Sequence, residues 1–326
     1  MTVGRWKSVQ VKDLSSAPAP DEHRPPSLGE TGRPITRSEK LRRSLTPYLF
    51  LLIPLILLIL FTYVPFVNMV SYSVVKWDGL SKTRQFVGLD NFVQIFTRPD
   101  LYGVFAVSLY YFAGAFIQMA IALYLATVLS FKVRLRNVFK GIIFFPYLIN
   151  GVAIAFIFLY FFRPDGVLDG LLGVVGVNDT PLWLGERKLV NFSLAGVSIW
   201  RYMGLNFVLF LGAIQSIPSE ILESGEIDGA SRWQQFRYLI VPGIRPILGL
   251  SFILAISGSL SVFEIPFIML GGANGSATFV IQTVQMAFQN NKFGLASAMA
   301  VVLLVIILFV TWIQRRVLPD DQVDLI

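Results

Sequence analysis

Cysteine is absent from the chain, and histidine occurs once, as His23 in a proline-rich polar stretch. Disulfides and thiolate metal sites are thereby excluded. A histidine-based catalytic or metal centre has no second histidine to draw on, so no catalytic and no metal-ligating residue is expected. The glycine-rich phosphate cradles G-x-x-x-x-G-K-[ST] and G-x-G-x-x-G are also missing. If the chain takes part in an ATP-driven process, another chain must hydrolyse the ATP. Charge is scarce too, at 14% of residues, whereas 55% are hydrophobic and 14% aromatic. That is the composition of a membrane protein, not of a soluble domain. A formal net charge of +7 raises the question of nucleic acid. The basic residues, however, sit in tails and short connections beside apolar runs, which the positive-inside rule explains more simply.

The expected fold class is all-α and polytopic, with six transmembrane helices. Residues 1–44 are polar, with Pro18, Pro20, Pro25, Pro26 and Pro34, and are expected to form a disordered cytosolic tail. They are no signal peptide, because the following apolar run starts too late and is too long. The membrane domain then covers 45–316, and 317–326 is a short cytosolic tail. About 20 apolar residues cross a bilayer core. On that criterion the spans run roughly Pro47 to Val70, Leu101 to Ser130, Gly141 to Phe162, Val190 to Ser216, Ile247 to Leu270 and Gly294 to Ile313. Pro146 and Gly151 fall inside the third span, where neighbouring helices or polar groups must satisfy the freed carbonyls. Residues 71–100 read as an outside loop with a short helix, and 163–189 as a second outside loop. The string from Gly271 to Ser276 marks a tight turn.

Positive charge sets the orientation. Arg37, Lys40, Arg42 and Arg43 precede the first span, and Lys132, Arg134, Arg136 and Lys140 crowd a short connection after the second. Arg232, Arg237 and Arg245 follow the fourth, and Arg315 and Arg316 close the sixth. The opposite loops hold fewer basic residues over longer segments. Both termini are therefore expected in the cytosol.

One polar, charged island interrupts the second half: residues 217–246, IPSEILESGEIDGASRWQQFRYLIVPGIRP. Its local signals describe a helix, a break and a second helix. Pro218 suits a first helical turn, with Ser216 or Ser219 as the cap. Gly229 permits the break. Ser231 with Gln234 forms a capping box for the second helix, on which Trp233, Phe236 and Ile240 recur at helical spacing. Pro242 and Pro246 end it or turn it onward. Such a pair is shaped to dock into something outside the bilayer; a solvated connecting loop with helical propensity has the same local signals.

Glu223-Ser224-Gly225, three residues, Gly229, nine residues and Leu239-Ile240-Val241-Pro242 resemble the EAA loop of ABC importer permeases. The version in permeases for oligosaccharides and glycerol phosphates is similar in Glu226 to Ser231, Phe236 and Pro242. Ser224 and Gly225 replace two alanines usual in that family. Both are small, so close packing survives, but glycine lowers helix propensity by up to about 1 kcal/mol. The strings Phe86 to Phe92, Phe145 to Asn150, Gly166 to Asp169 and Leu182 to Gly185 are similar to the same family, which the chain resembles from about Thr46 to Arg316.

This resemblance implies one permease subunit of an ATP-driven importer in a prokaryotic inner membrane. It implies a second permease subunit, two ATPase subunits that bind the ATP and Mg, an extracytoplasmic solute-binding protein and surrounding lipid. This chain itself needs no cofactor and no nucleic acid. Residues 217–246 would be the cytosolic coupling helix pair, with Glu223, Gly225, Asp228, Gly229, Ala230, Trp233, Phe236 and Pro242 fixing its geometry and contacts. An ion-coupled carrier is the rival reading, but it needs intramembrane carboxylates, and only Glu264 is available.

Arg201 and Glu264 are the main ionisable residues inside the spans. A charge at mid-membrane costs at least about 2.5–3.5 kcal/mol, so it faces a partner or a wet cavity. The two are expected at similar depth, either neutralising one another or lining a solute path. Gln118, Asn150, Trp200 and Asn206 are further path candidates, because sugar hydroxyls need donors and acceptors and an aromatic face stacks on a sugar ring.

Overall fold

The computed structural model describes residues 37–131 and 134–317, with side chains described for 48–131 and 134–316. The expected tail at 1–44 lies outside the described residues up to residue 36, and from residue 37 its backbone is already helical. Of the C-terminal tail, residues 318–326 lie outside as well.

The helices in chain order are α1 (Arg37–Leu58), α2 (Val64–Ser73), α3 (Asp90–Thr97), α4 (Pro99–Tyr102), α5 (Phe105–Ser130), α6 (Arg136–Leu148), α7 (Gly151–Phe161) and α8 (Val167–Val174). They continue as α9 (Val190–Gln215), α10 (Ser219–Ile227), α11 (Arg232–Gln235), α12 (Val241–Gly243), α13 (Arg245–Leu260), α14 (Glu264–Leu270), α15 (Phe279–Phe288) and α16 (Phe293–Val317). A π-helical turn, Ile59–Tyr63, joins α1 to α2, and another, Phe236–Ile240, joins α11 to α12. The strands β1 (Val75–Lys76) and β2 (Gln85–Phe86) form one antiparallel hairpin. The chain is thus an all-α polytopic membrane protein.

Among the described residues, five segments are long and apolar enough to span: Tyr48–Ser73, Pro99–Ser130, Val190–Gln215, Arg245–Leu270 and Phe293–Arg316. The expected third span, Gly141 to Phe162, passes only when α6 and α7 are taken together as one broken span, and the two are bent by 95° at the break. The cause is local. Pro146 lies two residues before the end of α6, where it removes a donor and clashes with the preceding turn. The Asn150 side chain then accepts the Val152 N–H at 2.8 Å and caps a new helix. The fifth span is also interrupted, at Ser261 to Phe263 between α13 and α14. The short apolar helix α15 falls between the fifth and sixth spans and was not foreseen.

Three apolar clusters hold these pieces. At the end where α9 begins, Ile154, Ala155, Leu194, Val197, Ile265 and Met269 join α7, α9 and α14. At the end where α9 finishes, Ala126, Leu129, Phe207, Phe210, Ile240 and Ile244 join α5, α9 and the segment leading into α13. A third cluster joins α3, α4, α15 and α16 through Ile95, Leu101, Phe279 and Met299. Small residues set the helix separations. A Cβ on Gly204 would stand 2.6 Å from the Ile143 carbonyl oxygen, so α9 crosses α6 in close contact there.

The Phe86 to Phe92 string has a structural task. Asn91 is buried and donates from Nδ2 to the Ser73 and Val75 carbonyls at 2.9 and 3.0 Å. It satisfies the last carbonyls of α2 and the first of the hairpin, which have no helical partner.

Candidate functional site

The island at 217–246 forms a helical elbow between the end of α9 and the start of α13. Its break is built from backbone hydrogen bonds. Gly229 N–H donates to Glu226 O at 3.1 Å and Ala230 N–H to Gly225 O at 2.9 Å. This pair of bonds is a Schellman motif, with Gly229 at φ +78° as its left-handed residue. Ser231 then starts the second helix. Its Oγ accepts the Gln234 N–H at 3.3 Å, and its own N–H donates to Gln234 Oε1 at 2.7 Å, closing the expected capping box. The start of α10 differs from expectation. Pro218 is the N-cap residue and not a first-turn residue, and neither Ser216 nor Ser219 caps. The Ser216 hydroxyl donates back to Ala213 O at 2.7 Å and is spent there.

The elbow has two sides. Ile240 and Ile244 are fully buried among α5 and α9. Arg232 stacks over the Phe131 ring at 5.0 Å, just beyond α5. Gly225 leaves room for Leu239, whose Cδ1 would stand 2.9 Å from an added Cβ. The other side is open. α10 buries no residue, and Glu223, Glu226 and Asp228 are exposed. Trp233 is 65% exposed and Ile227 86%. The expected single apolar face over Trp233, Phe236 and Ile240 is therefore split. Ile240 is the root, Phe236 is half-buried, and Trp233 stacks on Phe236 at 5.3 Å while facing outward. Pro242 sits in the first turn of α12, where its missing N–H leaves no bond broken.

A second feature lies within the bundle. Arg201 of α9 donates from Nη1 to Glu264 Oε2 of α14 at 2.7 Å. The pair rests on Gly151, the first residue of α7, where a Cβ would overlap both the Glu264 carboxylate and the Arg201 guanidinium. Both helix interruptions therefore meet at one ion pair.

Beside it opens a cavity of about 440 Å³ between α5, α9 and α13, lined among others by Tyr111, Gln118, Asn206, Ser251 and Glu264. Tyr111 and Ser251 line it, but the Tyr111 hydroxyl and Ser251 Oγ are themselves sealed from solvent and find no hydrogen-bond partner among the described residues. Of the sequence-derived path residues, Gln118, Asn206 and Glu264 line this cavity, and Arg201 stands behind Glu264. Asn150 and Trp200 do not line it. Asn150 is occupied as the cap of α7, and Trp200 packs edge-on to Phe158 at 5.2 Å. Tyr111 and Ser251 were missed, because a single hydroxyl in an apolar run carries no pattern of its own.

The sequence profile described as "Binding-protein-dependent transport system inner membrane component" matches residues 118–320. The chain is 32% identical over 282 residues to the probable ABC transporter permease protein YurN of Bacillus subtilis, covering 84% of this chain and 96% of that one. It is 34% identical over 248 residues to the osmoprotective compounds uptake permease protein GgtC of Synechocystis, covering 73% and 88%. Among solved structures, it is similar to a chain of a bacterial alginate ABC transporter in complex with alginate pentasaccharide-bound periplasmic protein. The TM-score is 0.75 at 23% identity, over 86% of this chain and 98% of that one. At that identity the likeness concerns the fold.

Proposed function

Because this chain belongs to the family of binding-protein-dependent transport system inner membrane components, we propose that it is a permease subunit that moves an oligosaccharide or related solute in an ATP-driven importer. It works with a second permease subunit, two ATPase subunits that hold the ATP and Mg, and an extracytoplasmic solute-binding protein. It lies in a prokaryotic cell membrane with both termini and the elbow in the cytosol.

The observation that carries this reading is the two-sided elbow. Its root is buried among the spans and half-buried Leu222 of α10 packs against them, while Glu223, Glu226, Asp228 and Trp233 face outward. An element anchored on one side and open on the other passes displacement of a docked partner into the bundle. The Schellman turn at Gly229 and the capping box at Ser231 keep its two arms at a fixed angle, so the push is not absorbed at the joint. Glu223 and Asp228 present carboxylates and Trp233 an aromatic face to the ATPase subunit. Within the bundle, the cavity with Gln118, Asn206 and Glu264 forms part of the solute path.

An ion-coupled carrier has less support. Among the described residues, Glu264 is the carboxylate in the interior of the candidate spans, and it is already bonded to Arg201.

The test is ATP-driven solute uptake by the assembled complex in proteoliposomes. Glu223→Arg and Gly229→Leu are expected to abolish coupled uptake while the spans still assemble. Normal uptake by both variants would remove the coupling role, and uptake that follows an ion gradient without ATP would favour the carrier.

A further inference from the structure

We infer that the cavity beside Glu264 selects its solute by charge, taking a neutral or amino-bearing sugar unit and turning away an acidic one. This rests on the reading of the cavity as part of the solute path.

The argument starts from which half of the ion pair faces the opening. Side-chain exposure is 41% for Glu264 and 12% for Arg201. Glu264 lines the cavity and Arg201 does not. A solute that enters meets the carboxylate, with the guanidinium behind it. Arg201 is held back further by its stacking over the Tyr202 ring at 5.1 Å and by the Gly151 backbone on which the pair rests.

The remaining lining is uncharged. Among the described residues, no lysine, arginine or histidine lines the cavity. Its polar groups include the hydroxyls of the exposed residues Tyr202 and Ser261 and the amides of Gln118 and Asn206. Hydroxyls and amides both donate and accept, whereas an ionised carboxylate only accepts. Sugar hydroxyls and ammonium groups satisfy that set. A uronate or phosphate would have to shed water in a largely apolar space, with no cation to meet it and a like charge beside it. Burying an unpaired charge is costly, and a site often gains its specificity from such a mismatch. The volume falls within the range of about 300–1,000 Å³ usual for small-molecule pockets.

The test uses the complex purified through a tag on this chain, held in lipid nanodiscs without the solute-binding protein, so that the permease's own selection is read. Equilibrium dialysis compares three β-linked disaccharides of matched size: two glucose units, two glucosamine units, and two glucuronate units, at a pH where the amines are charged. The unaltered complex is expected to bind the first two at least about tenfold more tightly than the third. Glu264→Gln should bring the glucuronate probe to within about threefold of the glucose probe. The paired substitution of Arg201→Gln with Glu264→Gln should lose the preference in the same way. Equal binding of the glucuronate and glucose probes by the unaltered complex overturns the inference, as does an unchanged ratio in an assembled Glu264→Gln complex. Failure of all three probes to bind also overturns it. Ser251→Phe, which fills the cavity, separates the two levels. If it leaves binding intact, the solute-path reading itself falls. If it abolishes binding of all three while the unaltered complex accepts the acid equally, only the charge selection falls.

Discussion

Arg201 and Glu264 lie 63 positions apart in the chain and 2.7 Å apart in the fold. Between them they tie α9 to the start of α14, and Gly151 brings the start of α7 against both. Three separate spans therefore share one electrostatic contact in a region where an unpaired charge is poorly tolerated.

Breaking this contact from one side should be worse than reversing it. Arg201→Met leaves the Glu264 carboxylate without its cation and is expected to cost about 2.5–3.5 kcal/mol, the scale for a lone charge at membrane depth. The exchange Arg201→Glu with Glu264→Arg restores opposite charges and should recover most of that loss. Thermal unfolding midpoints of the purified complex read both. Equal damage from the single and the exchanged variants would show that packing, not pairing, is what the two residues supply.

Two glycines in the spans make opposite predictions. At Gly151 an added Cβ meets the tips of the Glu264 and Arg201 side chains, so Gly151→Val should displace the ion pair and lower the thermal midpoint. At Gly212 nothing lies within 4 Å of an added Cβ. There Gly212→Ala should be neutral or stabilising by up to about 1 kcal/mol, because alanine is the better helix former. The thermal midpoint distinguishes them.

In the elbow, stability and coupling should separate by residue. Ile240→Ala empties a fully buried site and is expected to cost about 2–5 kcal/mol of stability. Trp233→Ala removes an exposed ring and should leave the unfolding midpoint nearly unchanged while lowering solute-stimulated ATPase in the complete complex. Ser231→Ala removes the helix cap and should cost about 1 kcal/mol. A Trp233→Ala complex with full stimulated ATPase would show that the ring has no part in docking.

Acid should loosen the hairpin that follows α2 before it affects the spans. The Asp78 carboxylate accepts the Leu80 and Ser81 N–H groups at 2.9 and 2.8 Å and the Ser81 hydroxyl at 2.8 Å. The Ser81 and Leu80 backbone bonds, followed by the Ser81 hydroxyl, hold its pKa below the usual 3.8. A carboxyl lowered in the folded state adds stability that is complete above its unfolded pKa. That stability is lost as pH falls through the lowered folded value. The Trp77 indole donates to Ser81 O at 2.8 Å, so its fluorescence should change in that acidic window. Asp78→Asn should remove the transition, and an unchanged titration would assign it to another group.

Much of this was legible in the amino-acid order, and the reason is range. A long apolar run must span, because lipid cannot solvate its backbone unless the hydrogen bonds close within it. A glycine forced to positive φ, or a serine three residues before a glutamine, acts through neighbours in the chain. The Gly229 turn and the Ser231 to Gln234 box were therefore readable before any coordinates. Pro146 and Gly151 were visible as breakers, but Asn150 was read as a solute contact and not as the cap that completes a 95° bend.

What the tertiary structure alone decided is which faces meet. Spans that are apolar nearly all round carry no stripe to mark an inner face. No periodicity could show that Tyr111 and Ser251 share a cavity with Glu264, or that Trp233 points outward while Ile240 is sealed in. Those outcomes depend on how helices from distant parts of the chain cross. Small residues such as Gly151 and Gly204 set that crossing by the space they leave for another segment's atoms.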